Sequence, residues 1–338
     1  MRLILDTNIW SYIGEVGARR ELERVALSRH WTICTPPATL LEVLRTSDPA
    51  RRHRSVDALS SKYWKRLRTE IDSECSEFIA EARRLRPKWV RQLPLPDKPR
   101  KLRNFWTWQI WRQATKDHAE LANRPTMAKS EVDDELAYGP LKANRDARLE
   151  SGMKIEDLDS LFLRPDPDMP PYQLLGWKSD LAPVEWWRVD CRDIYMNALR
   201  FGDSMRFIDP GNANFGTEIT YSDWLGSYLW LDQVTADWDD FGKFWLYEVE
   251  KANVPRSWIR SATMAAQMMG KVEISAPRDQ QLATYLIDCD VFVTADKRFA
   301  SALERVRPYC PVPMAEIRCL KGVANNSQVV DLLAEAIS

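Results

Sequence analysis

Four acidic side chains stand where a parallel α/β fold could bring them to one place. Asp6 directly follows the apolar run "RLIL", and Asp296 lies just beyond "VFVT" in "VFVTADKRF". Glu42 sits in "PPATLLEVLR", after the apolar "WTICT", and Asp279 opens "RDQQLATYLI", which precedes "VFVT". In open α/β sheets the functional crevice lies beyond the carboxyl ends of the strands. Carboxylates gathered there repel and raise one another's pKa unless a cation neutralises them. An all-oxygen, histidine-free set suits Mg²⁺ or Mn²⁺. Such ions hold phosphate oxygens and lower the pKa of an attacking water, the chemistry of phosphodiester hydrolysis. Asn8 and Thr294 stand beside these acids, placed to orient the carboxylates or to contact phosphate. Each acid also has a plainer use: Asp6 and Asp279 as helix caps, Asp296 as a turn residue, Glu42 as a solvent-facing helical glutamate. Asp288 and Asp290, on either side of Cys289, read as loop solvation.

The elements that would position these residues lie at the two ends of the chain. "RLIL" and "WTICT" read as short buried strands, with Arg19–Arg29 as a helix between them. Pro36 and Pro37 open a helix carrying "ATLLEVLR", Pro37 being suited to a first turn. Toward the C-terminus, residues 256–270 read as a helix ended by Gly270, followed by a strand "KVEI", a helix "RDQQLATYLI" and a strand "VFVT". A helix from Lys297, a strand "VPMAEI" and a final helix "QVVDLLAEAI" complete the pattern. Such alternation predicts a Rossmann-like parallel sheet sandwiched by helices. Two N-terminal strands are too few to stand alone, so both ends are expected to build one discontinuous α/β domain, residues 1–54 and 254–338.

The middle, residues 55–253, reads as a mostly α-helical insertion. Apolar residues at Ile71, Cys75, Phe78, Ile79, Ala82 and Leu85 recur at a helical period on a long helix spanning 55–86. Further helices are expected near 104–122, 183–200, 221–232 and 237–250. Most of the 15 tryptophans fall in this region, at spacings that a packed helical core explains.

Charge is balanced, with 48 Lys plus Arg against 49 Asp plus Glu, so attraction for nucleic acid must come from local clusters. Residues 83–103 hold nine Lys or Arg, including Arg100, Lys101 and Arg103, against the single Asp97. A smaller group, Arg45, Arg51, Arg52 and Arg54, follows Glu42. Phosphate backbones attract such clusters, and aromatic faces stack unpaired bases. Trp89, Phe105, Trp106, Trp108 and Trp111 lie in or beside the longer run. The alternative is a solvated basic face and core tryptophans.

The six cysteines show no CxxC spacing and sit in apolar company, as expected of reduced thiols in the cytoplasm. The three histidines show no ligand spacing. No apolar run approaches the length of a membrane span, and the first strand begins too early to leave room for a signal peptide.

The ordered set of acids resembles the PIN domain nucleases. Asp6, Thr7 and Asn8 in "LILDTN" resemble the first motif of that family, and Glu42 its second acid. Asp279, with Thr294 and Asp296 beyond it, resembles the third acid and its "T-x-D" element. The likeness covers roughly residues 1–50 and 254–320. It implies a Rossmann-like sheet, Mg²⁺ or Mn²⁺ held by Asp6, Glu42, Asp279 and Asp296, and endonucleolytic cleavage of RNA, usually single-stranded. It also implies a toxin- or defence-like role, with a protein inhibitor or a second copy of the chain as partner. The rivals are a structure-selective DNA nuclease of the flap type and a catalytically silent RNA- or partner-binding module. A nucleotide-binding α/β protein is disfavoured, since neither GxGxxG nor GxxxxGK[ST] occurs.

Overall fold

The computed structural model describes residues 1–123, 139, 142–143, 145–146, 158–165, 171–178, 182–201, 221–269, 276–322 and 328–337. By compactness the chain forms two units. The first comprises Met1–Glu70, Asn104–Met153 and Thr263–Ser338, and the second Ile71–Arg103 and Lys154–Ala262. Residues 55–70 and 104–153 thus group with the two ends of the chain in this division.

Among the described residues, the first unit is built on five parallel strands: β1 (Arg2–Leu5), β2 (Thr32–Thr35), β3 (Lys65–Arg66), β4 (Val291–Thr294) and β5 (Glu316–Cys319). Their order is β3-β2-β1-β4-β5. Leu3, Ile4 and Leu5 are wholly buried, as are Phe292, Val293 and Thr294, the pattern of central strands covered on both faces. β1 and β4 are direct neighbours, with Leu3 opposite Val291 and Leu5 opposite Val293. From β1 the chain runs outward through β2 to β3 on one side, while β4 and β5 lie on the other. The β1–β4 boundary is therefore the switch point of the sheet, where a crevice opens beyond the carboxyl ends.

The helices around the sheet follow from local chemistry. α1 (Thr7–Val16) starts immediately after Asp6 and ends at Gly17, whose φ of 66° is the left-handed conformation that closes a helix. α2 spans Arg19–Ser28. α3 (Pro37–Leu44) begins with Pro37 at its first position, as the sequence predicts. α4 (Pro49–Leu59) is capped by Asp48. α1 and α4 cross closely at Gly14, where a Cβ would lie 2.8 Å from the Arg54 backbone. α5 (Pro255–Met268), α6 (Ala276–Ala283), α7 (Lys297–Val306) and α8 (Val329–Ala336) come from the C-terminal part.

Two sequence expectations need correction. The long helix over 55–86 is broken: α4 ends at Leu59, β3 intervenes, and a new helix runs Glu70–Leu85. β3 is a two-residue, polar edge strand and leaves almost no apolar signature. The strand proposed at "VPMAEI" is present but shifted: it runs Glu316–Cys319, sharing only Glu316 and Ile317 with that stretch. The proposed strand "KVEI" lies outside the described residues.

In the second unit the helices Glu70–Leu85 and Trp186–Phe201 contribute to an aromatic core. Phe78, Tyr195 and Trp245 stack there, with Tyr195 and Trp245 ring centroids 4.9 Å apart. Trp89, Trp187, Trp224 and Trp245 are all buried. The helical aromatic spacing is core packing. Among the described residues, no helix is long and apolar enough to cross a membrane.

Candidate functional site

Asp6 sits at the carboxyl end of β1 and Asp296 just past the end of β4, so the register that pairs these strands brings both to one sheet edge. Both aspartates do cap helices. The Asp6 carboxylate accepts from the Thr7 amide at 2.7 Å, and that of Asp296 from the amides of Arg298 and Phe299 at 2.7 and 3.0 Å. Capping occupies Asp6 Oδ1 and Asp296 Oδ1 only. Asp6 Oδ2 instead accepts from Thr294 Oγ1 at 2.5 Å and from Asn8 Nδ2 at 2.7 Å. Asn8 Oδ1 in turn accepts from the Ala295 amide, and Thr294 Oγ1 from the Asp296 amide. Asn8 and Thr294 thus stitch the two strand ends together and fix the orientation of Asp6.

Glu42 lies on α3 after β2 and accepts from Thr7 Oγ1 at 2.5 Å. Asp279 lies in the first turn of α6, which packs against α3. Its Oδ2 accepts from Gln267 Nε2 of α5 at 3.0 Å, and Gln267 is held by Gln280. Gln267 carries no sequence signal as a site residue. The Thr7 contact to Glu42 could have been anticipated only from its place directly after Asp6.

The electrostatics bind the four acids into one system. Burial, then the charge of Glu42, pushes the Asp6 carboxyl up to about 7, against the opposing hydrogen bonds from Thr294 and Thr7. Burial pushes Asp279 further, to about 9, with the charges of Asp6, Glu42 and Asp296 acting in the same direction. Arg278 opposes this only weakly, as the last of the contributions. Burial and mutual repulsion thus draw Asp6 and, more strongly, Asp279 toward their protonated forms. In donor type and charge the set fits a hard divalent cation. Among the described residues, no three His, Cys, Asp or Glu side chains stand close enough to enclose an ion as they are placed.

The basic residues divide sharply. Arg52 is buried, donating to His118 Nδ1 and the Thr46 carbonyl, and Arg51 pairs with Glu15 at 2.9 Å. Arg103 makes a two-pronged bond to the buried Asp72, both contacts 2.7 Å. Within the 83–103 run, Arg86 binds Asp240 and Glu248, Lys88 pairs with Asp240, and Lys98 pairs with Asp223. Carboxylates distant in sequence neutralise most of what looks, in sequence, like a free positive stretch. Arg100 pairs with Asp97 on the open surface, and Lys101 is exposed. Arg45 ends α3 one turn from Glu42 and is half-buried.

Two of the three histidines, far apart in sequence, come together: the rings of His53 and His118 lie 5.1 Å apart. Compared with known proteins, the chain matches no family model, no curated protein and no solved structure.

Proposed function

We propose that this protein is a metal-dependent endoribonuclease with a PIN-like catalytic domain. The observation that supports the proposal is that Asp6, Glu42, Asp279 and Asp296 lie around the switch point of a parallel sheet, near enough for their charges to act on Asp6 and Asp279. Structural carboxylates are generally arranged to lose such repulsion; groups kept in it are candidates for function. Mg²⁺ or Mn²⁺ held by these four residues would neutralise phosphate charge and lower the pKa of a water for attack on the phosphodiester.

The rest of the chemistry is done by side chains of the chain itself. Thr294 and Asn8 present Asp6 in one orientation, Thr7 does the same for Glu42, and Gln267 for Asp279. Orientation of ligating carboxylates by such partners is what tunes a metal centre. Of the basic residues suggested for the RNA backbone, Arg100 and Lys101 are exposed and Arg45, Arg51 and Arg103 half-exposed, with Arg51 paired to Glu15, Arg100 to Asp97 and Arg103 to Asp72, whereas Arg52 is buried in internal bonds.

A second reading, a catalytically silent binding module on the same scaffold, draws on one observation: Asp6 and Asp296 already serve as helix caps. Incubation with Mn²⁺ separates these readings and the flap-nuclease rival. Internal cleavage of single-stranded RNA is expected. Stronger cleavage of a DNA flap would transfer the site to the rival enzyme, and no cleavage of either would favour the silent module.

A further inference from the structure

Among the tryptophans near the basic run, Trp108 alone behaves unlike core. Trp106 and Trp111 are buried, whereas Trp108 is 62% exposed. The backbone provides for this. Phe105–Gln109 is a turn of π-helix inside an otherwise α-helical stretch, locked by Trp111 Nε1 donating to the Trp106 carbonyl at 2.8 Å. Such turns are rare and shift the helical register at functional sites. Here the shift leaves one indole outside while its neighbours stay inside.

Arg66 is the second part. Its guanidinium lies 5.4 Å from the Trp108 ring and 5.3 Å from that of Trp111. It forms no ion pair with a carboxylate among the described residues, unlike Arg86 and Arg103. Its charge is also partly desolvated. A different stack in the second unit shows the contrast. Arg91 lies over Trp230, but its Nε is bonded to the carbonyls of Gly226 and Leu229, so that guanidinium is already consumed by the fold. A half-buried guanidinium stacked on indoles, with its donors uncommitted to carboxylate, is a phosphate-binding arrangement.

Position supplies the third part. Arg66 is the last residue of β3 and is paired with Thr35, the last residue of β2. Because all five strands are parallel, it stands on the same carboxyl edge as Asp6, two strands away. At the usual strand spacing that is roughly 10 Å across the sheet.

We infer that Arg66 and Trp108 form a nucleotide shelf beside the carboxylate site, on which a single-stranded RNA stacks one unpaired base against the open indole and sets the adjoining phosphate on the guanidinium. This rests on the nucleic-acid reading above and adds to it where the strand lies and that it must be unpaired.

The test measures binding without cleavage. Anisotropy of a labelled oligouridylate of about 12 nucleotides is followed in chelator, using the full chain and its variants Trp108→Ala, Trp108→Tyr and Arg66→Ala. Trp108→Ala should weaken binding by about 5- to 150-fold, the range for loss of one base stack. Trp108→Tyr should restore most of it, which a merely structural role would not require. Arg66→Ala should weaken binding and lower the slope of affinity against salt by about one charge. A duplex of the same length should bind weakly and be indifferent to Trp108. Binding of Trp108→Ala within twofold of wild type, or a duplex equally dependent on Trp108, overturns the shelf. Tenfold tighter binding of the matching single-stranded DNA overturns the assignment to RNA. Because the readout is independent of chemistry, the shelf can stand if cleavage is absent and can fall if cleavage is present.

Discussion

Thr294 Oγ1 donates to Asp6 Oδ2 at 2.5 Å, tying together residues 288 positions apart in sequence. The bond closes the ends of β1 and β4 over the switch point of the sheet, and the same hydroxyl accepts from the Asp296 amide. One threonine therefore couples the backbone of one acid to the side chain of another.

Replacing Thr294 by Val keeps the shape of the side chain and removes these two bonds together with the one its hydroxyl accepts from Asn8 Nδ2 at 3.3 Å. The hydrogen bond from Thr294 holds the Asp6 carboxyl down, so its loss sends that group above its present value of about 7. The pH dependence of Mn²⁺ affinity, measured by titration calorimetry, should move to higher pH, and folding stability should fall by about 1–3 kcal/mol. Thr294→Ser should restore both. An unmoved pH profile would deny that this hydroxyl tunes Asp6.

Stability in the presence of chelator should fall as pH rises. Asp6 at about 7 and Asp279 at about 9 both lie above the ordinary value of 3.8, so the folded state holds these protons more tightly than the unfolded one. Their contribution is complete below about pH 4 and is lost as pH rises through about 7 and then about 9. Thermal melts should show this decline, Asp279→Asn should flatten it, and added Mg²⁺ should raise the melting temperature most at the alkaline end. A melting temperature that rises across the same range would contradict the assigned burial of these acids.

Arg103 and Lys101 are near neighbours in one basic run with opposite expectations. Arg103→Ala removes the two-pronged bond to the Asp72 carboxylate, which is 2% exposed, and should cost about 3 kcal/mol in chemical denaturation. Lys101→Ala, at an exposed position, should stay within about 0.5 kcal/mol of wild type. Equal effects would mean that the Arg103–Asp72 pair is not the anchor it resembles.

The sheet was legible where the strands are buried on both faces, since "LIL" and "VFV" admit few other places. That both belong to one domain followed from the need for contiguous strands, and the helix opened by Pro36 and Pro37 from proline's fixed φ. β3 was not legible, because two polar residues at a sheet edge carry no periodicity. Its absence from the sequence reading merged α4 with the helix Glu70–Leu85. The basic run misled for a different reason: Asp72, Asp223, Asp240 and Glu248, which neutralise it, approach only in three dimensions. Gln267 was invisible for the same reason, since its bond to Asp279 joins two helices rather than one motif. The capping role of Asp6 was foreseen as an alternative to a site role, whereas Asp296, read alternatively as a turn residue, is a helix cap and Asp279 lies inside the first turn of its helix. Each carboxylate has two oxygens, and in Asp6 and Asp296 only Oδ1 caps.

The central claim is that the four carboxylates hold a divalent ion that cleaves RNA, and it is tested most directly by comparing wild type with Asp279→Asn on single-stranded RNA in Mn²⁺. The asparagine keeps the size of the side chain and an oxygen facing Gln267, so a folded variant is expected, verified by its melt. The account predicts internal cleavage by wild type, abolished by chelator, and a loss of at least about 100-fold in the variant. Cleavage by the variant at the wild-type rate, or no cleavage by wild type, would contradict it.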